Sequence, residues 1–402
     1  MTKLAIEGGT PVFGGQKAAE LVPKWPIPYK ETEEKLLEIF RNGKWGLCGE
    51  YEQKLMTGFA AWQGSRYSTW MANGTVTLEC ALIALGVGPG DEVIVPGVSW
   101  VATAEAPVYV GATPVIVDID PETMCIDPAR IEEAITPRTK AIIPVHLFSA
   151  VSDMDRIMAI AGKHNLFVIE DCAHAHGAKQ HGKGAGAIGD VGSFSFQLSK
   201  LMTGGEGGCC TTNDAELNDR IFRTSHIGNS RLHPKDPLEK GLICHQYRFT
   251  EFQAAIIYDQ LQHQEELKQK RIANAAILND CLKEAPGIKM QSSSFADDER
   301  PFYFLTLLLD PARLKPGYTR DWIYKALLAE GVLFHDGWGY PLYKGNEWNV
   351  REDQFIKMDT PVCEDVMYNR GVNGSHTLLL GDEAFTRKLG ECFIRVMKRA
   401  AE

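Results

Sequence analysis

The stretch NGTVTLECALIALGVGPGDEVIVPG, residues 73–97, joins a helix pattern to a short strand pattern rich in β-branched residues. The alternation continues through TPVIVDID, KAIIPVHLF, LFVIEDC, GSFSF and CCTT, between residues 113 and 212. Short continuous apolar strands separated by helices indicate a mostly parallel sheet covered by helices on both faces. The sequence therefore predicts an α/β fold.

The sequence around this alternation predicts further parts of the chain. Residues 1–50 are rich in glycine and proline and contain one helical pattern, which predicts an N-terminal arm with a first helix. Residues 51–260 are predicted to form the large domain that holds the sheet. A long helical pattern then carries the chain away, so residues 261–402 are predicted to form a linking helix and a smaller C-terminal α+β domain.

Composition excludes several classes of function. The net charge of the 402 residues is -10, which argues against a nucleic-acid-binding surface and for small-molecule partners. The N-terminus has no signal-peptide pattern, and no apolar run approaches the roughly 18 residues of a membrane span, so we expect a soluble, cytoplasmic protein. The 10 cysteines are scattered without a C-x-x-C pair, which favours buried free thiols.

Three motifs resemble ligand sites but lack the required context. GAGAIG, residues 184–189, has the dinucleotide-binding spelling, yet a strand follows it where a helix should begin. GAKQHGKG, residues 177–184, spells most of a P-loop but ends in Gly184 where Ser or Thr should hold magnesium. His174 and His176 in AHAHG have no carboxylate or thiolate placed as further ligands. We therefore predict no metal site.

A candidate anion site lies where a helix begins. The form of MANGTVTLECA predicts a loop that opens a helix, so the backbone N–H groups near Gly74 and Thr75 would face a bound anion. Ser195 lies near the end of a strand, and strand ends of such sheets meet at the ligand-binding edge. Thr75 and Ser195 are thus predicted to bind a phosphate.

The other candidates also follow predicted strands. Asp171 and His174 come after LFVIE, Lys200 comes after the strand of GSFSF, and Trp100 comes after EVIVPGVS. An anion cradle, a flat aromatic ring, a carboxylate and a lysine are the groups that hold pyridoxal phosphate. Lys200 would form the Schiff base and Asp171 would pair with the pyridine nitrogen, which keeps the ring an electron sink. Trp100 would stack on the ring, and His174 would approach its phenolic oxygen or its face.

The chain resembles the DegT family of pyridoxal-phosphate-dependent sugar aminotransferases over about residues 5 to 400. The resemblance is carried by GDEVIVPGVSWVATA, VIEDCAHAHGA, GDVGSFSFQLSKLMTGGEGG, YRFTEFQAAI and SHTLLL. It implies the aspartate-aminotransferase (type I) fold. For each candidate residue named above, it also implies the same cofactor-binding or catalytic role. It also implies a homodimer whose sites are completed across the interface by the residue before YR. The family usually has asparagine there, and this chain has Gln246.

These residues bear on four possible functions. Within the family, the motifs look most like the scyllo-inosose aminotransferases and 3-amino-5-hydroxybenzoate synthases of antibiotic biosynthesis. The resemblance thus implies transfer of an amino group from glutamine or glutamate to a ketone of a sugar or cyclitol, with a dehydrating and aromatising lyase as the alternative. DGWGYPLYKGNEW, residues 336–348, lacks the form associated with nucleotide-sugar aminotransferases. A non-catalytic scaffold would be expected to lose Lys200 or Asp171, and both are present.

Overall fold

The computed structural model describes residues 3–46, 48–235 and 240–402, so residues 1–2 and 47 of the predicted arm lie outside it. The α-helices are α1 (Lys30–Asn42), α2 (Glu50–Gln63), α3 (Gly74–Ala84), α4 (Ala102–Tyr109), α5 (Pro128–Ala134), α6 (Met154–His164), α7 (Ala215–Ser225), α8 (Glu251–Leu282), α9 (Arg320–Ala329), α10 (Pro361–Asp365) and α11 (Glu383–Ala400). The strands are β1 (Tyr67–Met71), β2 (Glu92–Pro96), β3 (Thr113–Val117), β4 (Thr139–Ile142), β5 (Phe167–Asp171), β6 (Lys179–Gln180), β7 (Lys183–Gly184), β8 (Val191–Ser195), β9 (Gly208–Thr212), β10 (Ile288–Met290), β11 (Phe304–Leu309), β12 (Ile356–Lys357) and β13 (Gly371–Ser375).

The large sheet has the predicted architecture. Its eight strands lie in the order β1-β9-β8-β5-β4-β2-β3-β12. From β8 to β12 all neighbours are parallel, whereas β9 runs antiparallel to both of its neighbours, β1 and β8. Every residue of β2 is buried, as expected for a strand covered on both faces. The α/β fold with a mostly parallel sheet is confirmed.

The chain beyond α8 forms a second, smaller α+β unit. Strands β10, β11 and β13 make an antiparallel sheet, and α9 and α11 pack with it around one apolar core. The N-terminal arm wraps onto this core, since Leu4 and Phe13 are buried in it. The buried Glu330 carboxylate accepts the backbone N–H groups of Ala5 at 3.0 Å and Val12 at 2.9 Å, which fixes the arm.

Helix α8 is 32 residues long and contacts both units. It runs through residue 260, and the domain boundary placed there stays a prediction. Among the described helices, none is both long and apolar enough to cross a membrane.

Candidate active site

A cleft of about 710 Å³ opens where the carboxyl ends of β2, β5 and β8 meet the start of α3. This is the edge at which ligands bind in sheets of this type. The structure brings seven of the eight predicted residues to it: Gly74, Thr75, Trp100, Asp171, His174, Ser195 and Lys200.

Asp171 is buried at the end of β5 and is held by two hydrogen bonds. Thr103 Oγ1 donates to Oδ2 at 2.7 Å, and the backbone N–H of Ala173 donates to Oδ1 at 3.1 Å. Desolvation by burial raises the pKa of the Asp171 carboxyl, although these bonds and the ammonium of Lys200 oppose the rise. A cationic ligand group placed beside this carboxyl would favour its charged form.

His174 lies in a stack of aromatic rings. Its imidazole is 4.1 Å from the ring of Tyr303 and 5.6 Å from that of Phe148, and both pairs are close to parallel. Burial, reinforced by the charge of Lys200, holds the pKa of His174 well below its usual range. Its Nδ1 accepts the backbone N–H of Phe148 at 3.4 Å, so the neutral ring carries its proton on Nε2. His174 can therefore donate a hydrogen bond without bringing charge into the site.

Lys200 extends from the loop after β8 into the same cleft. Its Nζ lies 4.8 Å above the centre of the Tyr303 ring. The Tyr303 hydroxyl is 2.8 Å from Ser199 Oγ, which links this ring to the lysine loop. Lys200 lines the cleft and is partly exposed, so its amine is accessible to a carbonyl ligand.

The predicted anion site is formed by tight packing of α3 against β8. A Cβ built on Gly74 would lie only 2.6 Å from Ser195 Cβ and 3.1 Å from Ser195 Oγ. Glycine at this position therefore brings the helix N-terminus next to the serine hydroxyl. Asn73 caps the helix, because its Oδ1 accepts the N–H groups of Thr75 and Val76, both at 3.1 Å. The cap occupies the Thr75 N–H that we expected to face an anion, so binding through that group requires the Asn73 side chain to move.

Trp100 lies at the cleft mouth, where 47% of its surface is exposed. Its indole is 6.5 Å from that of Trp338. An exposed ring lining a cleft is available to stack on a flat ligand, and the stacking role of Trp100 stays a prediction.

Gln246 is the predicted residue that the structure places elsewhere. It is exposed, hydrogen-bonds the guanidinium of Arg248 and pairs its backbone with His226. This position is compatible with a contact to another subunit, and that role stays a prediction.

The structure adds site residues that sequence reasoning missed. Ser99 Oγ is 2.6 Å from Thr103 Oγ1, so two hydroxyls extend the hydrogen-bond chain from Asp171. Ser99 lies in the loop just after β2, and that position is the signal that could have found it, whereas Thr103 lies in α4. Tyr303 and Trp338 reach the cleft from beyond α8, and nothing in their local sequence indicates it.

A buried cluster of His146, Glu170 and Cys172 has metal-ligand spacing. The Glu170 carboxylate is 2.9 Å from His146 Nε2 and accepts backbone N–H groups of Gly186, Ile188 and Gly189 at 2.7–2.9 Å. These bonds give the cluster a structural role in tying the 186–189 turn to β5.

The cleft fits pyridoxal phosphate on the chemistry of its own groups. It offers the accessible amine of Lys200 and the buried carboxyl of Asp171, whose charged form a pyridinium would favour. It also offers the start of α3, which lies close to the Ser195 hydroxyl because Gly74 has no side chain. Together with the fold, this arrangement defines the class: a pyridoxal-phosphate-dependent enzyme of the aspartate-aminotransferase fold.

Comparison with known proteins assigns the family. The DegT/DnrJ/EryC1/StrS aminotransferase family matches residues 27–386, and the chain belongs to this family. The L-glutamine:2-deoxy-scyllo-inosose aminotransferase of Streptoalloteichus tenebrarius is 38% identical, with 99% of this chain and 98% of the relative covered.

Two solved structures are similar over nearly the whole chain. An aminotransferase from Psychrobacter cryohalolentis has a TM-score of 0.86 at 30% identity and covers 94% of this chain and 99% of its own. A 3-amino-5-hydroxybenzoic acid synthase has a TM-score of 0.84 at 28% identity, with the same coverage of 94% and 99%.

Proposed function

We propose that this chain is an aminotransferase that moves an amino group from L-glutamine to the ketone carbon of a cyclitol of the scyllo-inosose type. The observation that carries the proposal is the meeting of Lys200 and Asp171 in one aromatic cleft. The full-length relative named for the same donor and a deoxy-scyllo-inosose supports the choice of substrates.

Pyridoxal phosphate is the cofactor, and when bound it accepts the amino group and delocalises the electrons of the substrate carbon. Lys200 Nζ would hold it covalently and, once released, would carry the proton to and from that carbon. Asp171 would pair with its ring nitrogen. Ser195 and the start of α3 would bind its phosphate, and Trp100 would cover its ring.

His174 and the hydroxyl chain set the polarity of this site. Neutral His174 would offer its Nε2–H to an oxygen of the cofactor, and Thr103 with Ser99 would keep the Asp171 carboxylate oriented. The rings of Phe148 and Tyr303 would exclude water from the imidazole, which preserves its low pKa.

A dehydrating lyase is the second candidate, because the 3-amino-5-hydroxybenzoic acid synthase has a closely similar fold. The Lys200 and Asp171 pair is compatible with both reactions. The presence or absence of a required amino donor separates them.

We also propose a cytoplasmic homodimer that serves antibiotic biosynthesis. In this arrangement Gln246 would reach the cofactor phosphate of the partner subunit, in place of the asparagine usual in the family. Its exposure and its position outside its own cleft support this proposal.

The test of the reaction uses the cofactor-loaded protein in two half-reactions. L-Glutamine carrying nitrogen-15 in its α-amino group should bleach the visible band of the lysine-bound cofactor, and a keto-cyclitol should restore it. The labelled nitrogen should then appear on the cyclitol. L-Glutamate and a nucleotide-linked keto-sugar, each tested separately, control for donor and acceptor. Formation of an aromatic product without any amino donor would support the lyase instead, and labelled nitrogen that never reaches a cyclitol would contradict the proposal.

A further inference from the structure

One wall of the cleft is formed by the chain beyond α8 and differs in chemistry from the rest. All cleft-lining residues from this part of the chain are aromatic: Tyr303, Phe304 and Trp338. The charged side chains among the described cleft residues all come from before α8: Asp171, Lys200 and Glu206. The wall is therefore aromatic and uncharged.

Trp338 is held in this wall by a hydrogen-bonded turn. The backbones of His335 and Asn373 exchange hydrogen bonds of 2.9 and 2.8 Å, which anchor the segment to β13. The N–H of Gly337 donates to His335 Nδ1 at 3.0 Å. Gly337 and Gly339 have φ of 71° and 76°, so the chain turns sharply on each side of the tryptophan.

The Trp338 indole packs on the cleft floor and remains partly exposed. Its ring is 5.9 Å from the neutral imidazole of His174 and inclined to it by 26°, and it is 5.6 Å from the ring of Phe148. The centre of the Trp100 indole lies 6.5 Å from that of Trp338, and the two rings are inclined by 44°. Two tryptophans, one from each part of the chain, thus border the mouth where substrate enters.

The chemistry of this wall selects a type of acceptor. A six-membered polyol ring with equatorial hydroxyl groups has two faces made only of C–H groups, and such faces pack well on an indole. A nucleotide-linked sugar carries two phosphate charges, which need cationic partners. Lys200 is the cationic side chain among the described cleft residues, and the cofactor would use it.

We propose that Trp338 is a specificity-determining residue whose indole stacks on the carbon face of an uncharged, polyhydroxylated six-membered ring. The assignment rests on the proposed function for the identity of the ketone. The stacking itself can be tested apart from the reaction.

The binding test uses scyllo-inositol, an unreactive polyol, and the cofactor-loaded protein. In calorimetric titration, Trp338→Leu should weaken binding about tenfold, while Trp338→Phe should change it by less than about threefold because it keeps a ring. Trp348→Phe is the matched control, since Trp348 packs against Phe355 outside the cleft and should bind as the wild type does. Trp338→Met replaces the leucine variant if that variant does not fold.

The kinetic test separates this proposal from the reaction itself. Trp338→Leu should raise KM for the keto-cyclitol more than KM for L-glutamine, whereas the control Trp348→Phe should leave both within about twofold of wild type. Unchanged polyol binding in the leucine variant, or a phenylalanine variant as weak as the leucine one, would overturn the stacking role. Failure of the wild-type protein to react with glutamine would instead overturn the proposed function.

Discussion

The substitution Gly74→Ala tests the packing at the proposed anion site. The added Cβ would lie 2.6 Å from Ser195 Cβ, 3.1 Å from its Oγ and 3.1 Å from its Cα. The Cα and Cβ of Ser195 are fixed by the backbone of β8 and cannot rotate away as the tip of a long side chain would. Either α3 or the end of β8 must therefore move.

The expected cost follows from that overlap. Overpacking a well-packed site costs about 1–3 kcal/mol, and alanine returns up to about 1 kcal/mol through its higher helix propensity. We expect the free energy of unfolding to fall by about 1–2 kcal/mol. Because the movement separates the helix start from the Ser195 hydroxyl, the Kd of pyridoxal phosphate should rise about tenfold.

Denaturant unfolding of the apoprotein and titration with cofactor measure the two effects. Gly162→Ala is the control, since Gly162 lies in α6 with no atom within 4 Å of its added Cβ. That change should stabilise the protein by up to about 1 kcal/mol and leave cofactor affinity unchanged. Wild-type cofactor affinity in Gly74→Ala would refute the assignment of this packing to phosphate binding.

Three other predictions test the Asp171 carboxylate, the buried His176 and the dimer. Asp171→Asn should reduce the bleaching rate with L-glutamine about a hundredfold or more, which is a rise of roughly 2.7 kcal/mol in the activation barrier. Thr103→Val should slow the reaction far less because the carboxylate remains. Near wild-type rates in Asp171→Asn would refute the role of Asp171. Burial lowers the pKa of His176 to about 3, so the stability that is present above the unfolded-state pKa is lost as pH falls. Between about pH 6 and pH 4, His176→Leu should therefore reduce the slope of the unfolding free energy against pH by about 1.4 kcal/mol per pH unit. Parallel profiles of the variant and the wild type would contradict this. If the Lys200→Ala and Gln246→Ala variants are each inactive, mixed dimers of the two should regain up to about half the wild-type activity, since one site then carries neither change. No recovery would show that Gln246 serves its own subunit.

The sequence predicts the parts of the molecule that depend on local pattern. The apolar runs around β2, β5 and β8 predict a parallel sheet, and the polar residues after these strands mark the cleft, because parallel strands share one carboxyl edge. Asp171 and Lys200 meet there for that reason.

The remaining features depend on contacts between distant segments. Tyr303 and Trp338 reach the cleft only because the chain beyond α8 folds back onto the sheet, which no local periodicity encodes. The Asn73 cap was missed because asparagine before a helix can bind either a ligand or its own backbone, and the pattern does not distinguish these uses.

The most direct test of the account identifies the lysine that holds the cofactor. The purified protein loaded with pyridoxal phosphate would be reduced with borohydride, digested and examined by mass spectrometry. The account predicts that the reduced cofactor is attached to Lys200, and that addition of L-glutamine before borohydride prevents this attachment. Cofactor fixed to another lysine, or attachment to Lys200 that glutamine leaves unchanged, would contradict it.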